Sequence, residues 1–331
     1  MSTTKENPLV IPRPNEPPCK PRPTISAPPE SSFTSTFGHL LPAASFLTTP
    51  HGQIAYYSLP PLKPSSSTSS TPPTRVLLIH GIQTPALGLL PLARSLRAQF
   101  PHTHFTLFDL YGHGLSSTPY VPHVPALFHE AIDLLLDELS WPSAHLIGYS
   151  FGGVTAAGYA ASRPEKVDSL ALVAPAGLYR ASDFGPDAEA HLRGDDEDAA
   201  TDWVLNLLNG GPLVVPADWR DRVREGEVVA AAVKQWEVRE HKGHVASVVA
   251  IFRDGGVMDS HETLRRAATT GVRRLVVLGE SDDVGTEKDF ADVGFEGAKT
   301  IEGVGHEVVR ERASDVARLI GDFWRGTAEG V

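Results

Sequence analysis

From Arg75 the chain reads Val-Leu-Leu-Ile-His80 and then Gly81, a short continuous apolar run. Such a run suits a strand covered on both faces of a parallel sheet. Leu89, Leu92 and Leu96 then fall at helical spacing within Pro85 to Phe100, and His104 to Leu110 is strand-like. Val124 to Leu139 has the helical period again, and Ala144 to Tyr149 reads as a strand. Phe151 to Ser162 is a helix of small residues, and Lys166 to Ala174 a further strand. Strands alternating with helices predict βαβ units and an α/β fold with a mostly parallel, doubly wound sheet.

The alternation stops near Gly177. As far as His261 only helical periodicities remain, with Trp203, Trp219 and Trp236 among apolar residues. Strands return at Arg273 to Leu278 and near Lys299 to Ile301, and a helix from Glu307 to Trp324 closes the pattern. An all-helical stretch between two strands of one sheet reads as an insertion. The predicted organisation is a core over residues 36–177 and 261–326, with a helical cap or lid over 178–260. Ahead of it, Ala44 to Leu47 and Gln53 to Leu59 read as two short strands around a His51-Gly52 turn, and residues 65–71, all Ser or Thr, as a flexible loop.

Composition changes the picture mainly at the N-terminus. Sixteen of the 28 prolines precede residue 74, and nine lie in residues 1–30. A segment so poor in apolar residues cannot offset its ordering entropy, so residues 1–35 are expected to form a disordered tail, with order beginning near Phe37. Met1 to Val10 lacks the apolar stretch of a secretory signal, and no run approaches the roughly 20 apolar residues of a membrane span. The expected location is cytoplasmic, with no transmembrane segment. The net charge of −11, without a basic cluster, argues against nucleic acid as a partner. Cys19, the one cysteine, excludes an internal disulfide.

The chemistry concentrates in three loops. Gly148-Tyr149-Ser150-Phe151-Gly152 matches G-x-S-x-G, placed after a predicted strand and before a predicted helix. A turn that tight strains the serine backbone, and glycines two residues to either side avoid clashes. The hydroxyl then projects above the sheet edge as a nucleophile. It needs a base, and the base an orienting acid. In sheets of this kind the acid and then the histidine follow the serine in chain order. His306 lies in Gly303-Val304-Gly305-His306, before the last helix. Gly279-Glu280-Ser281-Asp282-Asp283 follows a predicted strand, so Asp282, Asp283, Glu280 and, further on, Asp289 compete for the acid. An oxyanion hole needs two backbone N–H groups, and Phe151 and Ile82 are the candidates, the latter because Gly81 lets the chain turn beside the site. His80 reads as structural, as do His241 and His244 in the insertion. No metal constellation or nucleotide fingerprint appears, and no cofactor is expected.

These segments resemble the α/β-hydrolase superfamily. The resemblance runs through His80-Gly81, Asp109-Leu-Tyr-Gly112-His113-Gly114, the Gly148–Gly153 elbow, Val173-Ala-Pro-Ala-Gly177, Gly279–Asp283 and Gly303–Arg310, spans roughly residues 75–325, and in wording is similar to hydrolases of filamentous fungi. It implies the α/β-hydrolase fold, selects Asp282 as the acid, and makes Asp109 part of a structural turn. The departures are informative: Ser150 argues against the Asp nucleophile of the dehalogenases and epoxide hydrolases, and neither the His-Gly-Gly-Gly loop of some lipases nor the Gly-rich loop of the carbon–carbon bond hydrolases is present. The expected activity is cofactor-independent serine hydrolysis of a carboxylic ester of a medium-sized, largely apolar small molecule. Hydrolytic carbon–carbon, lactone or thioester cleavage, or a ligand-binding pseudo-hydrolase, are the alternatives.

Overall fold

The structure, a computed structural model, describes residues 9–15, 22–63 and 73–326. Cys19 and the Ser/Thr run at 65–71 lie outside the described residues. Eight strands form one sheet: β1 (Ser45–Thr49), β2 (Gly52–Leu59), β3 (Arg75–Ile79), β4 (His104–Phe108), β5 (Ala144–Tyr149), β6 (Val167–Val173), β7 (Arg274–Gly279) and β8 (Lys299–Ile301). Their spatial order is β1-β2-β4-β3-β5-β6-β7-β8. Strands β1, β2 and β4 pair antiparallel, and every pairing from β4 to β8 is parallel. This is the α/β-hydrolase fold.

The apolar runs of β3 to β7 follow from cover on both faces. Successive side chains point to opposite sides of a strand. Leu77, Ile79, Leu146, Leu170, Leu172 and Val276 therefore enter one core, against helices Pro125–Glu138 and Phe151–Ser162. Val76, Leu78, Ile147, Ala171, Val173 and Val277 enter the other, against Leu90–Gln99 and Ala313–Arg325. From β3 the chain turns outward to β4, then crosses back to place β5 on the other side of β3. The crevice at such a reversal is where doubly wound sheets bind ligands.

The N-terminal boundary differs from the expected tail over residues 1–35. Helix Glu30–Phe37 is ordered, and Phe33 and Phe37 are buried, with ring centroids 5.4 and 6.1 Å from that of Trp236. Ile25 forms a two-bond bridge with Thr118, and Ile11 is buried. Composition hid this because a few apolar anchors, Ile11, Phe33 and Phe37, suffice for a segment whose prolines leave it little chain entropy to lose.

The expected helical insertion contains helices Pro186–Arg193, Glu197–Asn209, Trp219–Arg224, Ala230–Glu240 and His244–Asp254. Its second half is fastened to the core by buried polar groups. Glu237 accepts from the Gly114 N–H at 2.8 Å, His244 Nδ1 donates to the Gly112 carbonyl at 2.9 Å, and His241 Nε2 donates to that of Ser116 at 2.8 Å. His80, His113 and His244 form a chain of rings at 5.2 and 4.8 Å. Burial pushes His80 and His129 down to about 4, and His123 and His244 to about 3. It also lowers His113, helped by the charge of His244. The helix Val308–Glu311 is separated from Ala313–Arg325 by Arg312, whose backbone leaves the helical region, so the expected single C-terminal helix is two. No described helix is long and apolar enough to cross a membrane.

Two expectations follow. Phe37→Ala removes a buried ring wedged between Phe33 and Trp236 and should lower unfolding free energy in urea by about 3 to 5 kcal/mol; a loss under about 1 kcal/mol would show the helix is not packed. The buried rings bind protons more weakly folded than unfolded. Their contribution is complete above about pH 6.5 and is lost as pH falls toward about 4. Burial raises Asp109, to about 6, and Glu237, whose contributions run the opposite way, but these two carboxyls are set against seven buried rings, since burial lowers His145 and His241 as well. The urea midpoint should therefore fall between pH 6.5 and 4, and a flat midpoint over that range would contradict the buried neutral rings.

Candidate active site

Four strand ends converge above the β3/β5 crevice. At the end of β5, Ser150 has φ +54° and ψ −120°, left-handed angles that cost a non-glycine residue about 1 to 3 kcal/mol. Close packing enforces the turn. A Cβ on Gly152 would lie 2.1 Å from the Ile79 carbonyl oxygen, and one on Gly148 would lie 2.2 Å from the Gly152 carbonyl. The helix entry is thus pressed against the end of β3, and Ser150 is thrust out of the turn. Phe151 begins that helix, so its N–H is one of those with no acceptor inside the helix.

The loop after β7 brings Asp282, and the loop after β8 brings His306. His306 Nε2 lies 2.9 Å from Ser150 Oγ, and Nδ1 lies 3.1 Å from each carboxylate oxygen of Asp282. A proton on Nδ1 satisfies both contacts: the ring donates to Asp282 and accepts from the serine hydroxyl. The Asp282 side chain is 1% exposed and also accepts the Val284 N–H at 3.0 Å. The other acids are occupied elsewhere. Asp283 is exposed, and its backbone carbonyl accepts the Tyr179 hydroxyl at 2.6 Å. Glu280 accepts the Gly303 N–H, joining the two loops, and Asp289 caps the helix that starts at Glu287.

The loop after β3 supplies the fourth part. A Cβ on Gly81 would lie 2.8 Å from Ser150 Cβ, so the loop reaches the serine only because residue 81 is glycine. His80 is fully buried, donates from Nδ1 to the Gly81 carbonyl at 2.6 Å, and accepts the Leu110 N–H at Nε2 at 2.8 Å. The Gly81 carbonyl and the Ile82 N–H belong to one planar trans peptide and point in opposite directions. By holding the carbonyl, His80 fixes the direction of the Ile82 N–H. Gln83, at φ +64°, turns the loop back. Asp109 braces the same region, accepting from the Ala86 and Leu115 N–H groups, each at 2.9 Å, and from the Tyr57 hydroxyl at 2.8 Å.

Sequence reasoning missed a second tier. Tyr149 donates its hydroxyl to the His306 carbonyl at 3.2 Å and accepts from Arg310, whose guanidinium also lies over the Tyr149 ring and pairs with Glu307. The only hint in the sequence was adjacency: Tyr149 precedes the serine, and Arg310 follows His306 by four residues. Ser150 and His306 open into a cavity of about 230 Å³, whose lining includes apolar Leu207, Leu208, Phe252, Val257 and Met258 and polar Gln83, Thr84, Lys234, Asp283, Glu307 and Arg310.

Residues 74–209 match a family described as alpha/beta hydrolase fold. Over 264 residues the chain is 28% identical to a pimeloyl-[acyl-carrier protein] methyl ester esterase of Xanthomonas campestris, covering 75% of this chain and 94% of that one. It is 27% identical over 253 residues to the dihydrolipoyllysine-residue acetyltransferase component of the acetoin cleaving system of Cupriavidus necator, covering 74% of this chain but only 62% of that protein's length. The crystal structure of an enol-lactonase from Burkholderia xenovorans superposes with a TM-score of 0.61 at 21% identity, covering 85% of this chain and all of that one.

Proposed function

From a chain that belongs to the α/β-hydrolase superfamily, we propose a cofactor-independent serine hydrolase that cleaves a carboxylic ester through an acyl-enzyme. The observation that carries the proposal is the unbroken hydrogen-bonded series from Ser150 through His306 to a buried Asp282. Ser150 Oγ attacks the ester carbonyl carbon while His306 Nε2 takes its proton. Asp282 holds the ring in the required tautomer and stabilises its charged form. The Ile82 and Phe151 N–H groups meet the oxyanion, aided by the positive end of the helix that starts at Phe151. His306 then protonates the departing alkoxide. Water adds to the acyl-enzyme by the reverse sequence, releasing the acid and restoring Ser150.

The apolar wall and the small cavity favour a medium-sized, largely apolar acyl or alcohol part. Leu207 and Leu208 come from Glu197–Asn209, so this helix acts as a lid that must move for a substrate to enter. The esterase relative supports the ester reading in its bond type alone.

Turnover of an activated ester tests the roles. Ser150→Ala should lose on the order of 10³-fold or more, and should no longer be labelled by a fluorophosphonate. Near-wild-type turnover by pure Ser150→Ala would end the serine-hydrolase reading. Asp282→Asn, which favours the wrong tautomer, should lose roughly 10⁴-fold, and Asp283→Asn less than about tenfold. The reverse order would move the acid by one residue. For the positioning residue, His80→Ala should lower kcat roughly 10- to 100-fold while moving KM less than about threefold, since the oxyanion donor is misdirected rather than the pocket emptied. A folded His80→Ala with kcat within twofold of wild type would show that the Gly81–Ile82 peptide holds its direction without the ring.

A further inference from the structure

The pocket contains a charge that ester cleavage does not use. Lys234 lies on Ala230–Glu240, between Val233 and the buried pair Trp236 and Glu237, and its side chain lines the same cavity as Ser150 and His306. Among the described residues it has no hydrogen-bond or ion-pair partner. Two of the acids nearby are committed, and the third faces solvent. Glu307 pairs with Arg310, Asp282 serves His306, and Asp283 is exposed at the rim with Tyr179 against its backbone. Burial first, and then the Arg310 guanidinium, push the Lys234 ammonium below the usual lysine range. The lining thus holds two cations, Lys234 and Arg310, with Glu307 paired to Arg310 and Asp283 turned to solvent, among leucines and a phenylalanine.

That arrangement is costly in an empty pocket. A cation withdrawn from water needs a counter-charge, and a second cation beside it raises the cost. A lysine on a surface helix usually escapes by extending its four-carbon stem into solvent. Lys234 is half-buried and lines the cavity without a hydrogen-bond or ion-pair partner among the described residues, so an anion entering there would meet an unpaired ammonium. Arg310 is less suited to the task, because Glu307, Tyr149 and Thr84 already engage its two terminal nitrogens.

We propose that Lys234 is a specificity-determining residue that binds a carboxylate carried by the ester substrate away from the scissile carbonyl. The inference rests on the serine-hydrolase reading and narrows its substrate class from neutral apolar esters to esters of small acids with one apolar stretch and one anionic end. The leucine-lined wall takes the apolar stretch and Lys234 the charge.

Two matched pairs of esters test this, one with the charge on each side of the scissile bond. The first is 4-nitrophenyl glutarate against 4-nitrophenyl pentanoate, in which a carboxylate replaces a methyl. The second is phenyl butyrate carrying a para-carboxylate against one carrying a para-carboxamide. The readout is the charged-to-neutral ratio of kcat/KM, compared between wild type and Lys234→Met so that intrinsic reactivity cancels. For one pair the ratio should fall roughly 10- to 100-fold in Lys234→Met, as expected for loss of a charge-assisted hydrogen bond. Lys234→Arg should restore most of it, and Lys234→Glu should lower it further. A fall of less than about threefold for both pairs overturns the assignment while leaving the ester reading in place. If wild type cleaves none of the four esters, the ester reading fails by itself. Calorimetric binding of glutarate then decides for Lys234: a Kd about tenfold weaker in Lys234→Met supports the carboxylate site, and an equal Kd or no binding to wild type refutes it.

Discussion

The site depends on the contact between the helix entry after β5 and the end of β3. Residue 152 comes so close to the Ile79 carbonyl that no side chain fits, and this approach forces Ser150 into left-handed backbone angles. The strain is localised in one residue and opposed by two well-packed cores. Its consequences are geometric. The hydroxyl leaves the turn toward the crevice, the first N–H of the helix is left without an acceptor beside it, and the β3 loop passes at contact distance. A looser turn would lose all three together.

The other parts are held by buried polar groups rather than by the sheet. His80 fixes the Gly81–Ile82 peptide, Asp109 ties that region to the turn at residues 110–115, and Glu237, His241 and His244 fasten the second half of the helical insertion to the same turn. One continuous set of buried hydrogen bonds therefore joins the Gly81–Ile82 loop to the helical insertion. Neutral rings suit this role because they satisfy backbone groups without burying net charge. It follows that the insertion is not one uniform flap. Helix Glu197–Asn209 packs Ala200 and Val204 into the core shared with His244–Asp254 and is tied to it by Arg253, which pairs with Glu197 at 2.6 Å, whereas Ala230–Glu240 packs into the core on the other face of the sheet.

Much of this was legible in the sequence, for identifiable reasons. Strands covered on both faces must be apolar throughout, so Arg75–Ile79, Ala144–Tyr149 and Arg274–Gly279 announced a parallel sheet. The glycines around Ser150 and Gly81 are demanded by contacts so short that the residue type itself records them. His306 was marked by its glycine-flanked loop before the final helix.

Other features have no local signature. Spacing alone left four acids in competition for His306, and only the folded loops bury Asp282 against the ring while turning Asp283 outward. Phe33 and Phe37 sit in a proline-rich stretch whose composition resembles that of a disordered segment, and their burial depends on Trp236, some two hundred residues away. Nothing in the sequence around Lys234 sets it apart from other helix lysines, and only the tertiary structure turns it into the cavity that holds Ser150 and His306. The sequence by itself determined which segments become strands and helices and where a strained serine would stand, because those depend on periodicity and on contacts with near neighbours. Tertiary structure alone decided how the N-terminal segment is anchored and which cation lines the cavity beside Ser150, and it set Asp282, which spacing by itself left among four acids, against the His306 ring, because each depends on groups distant in the chain.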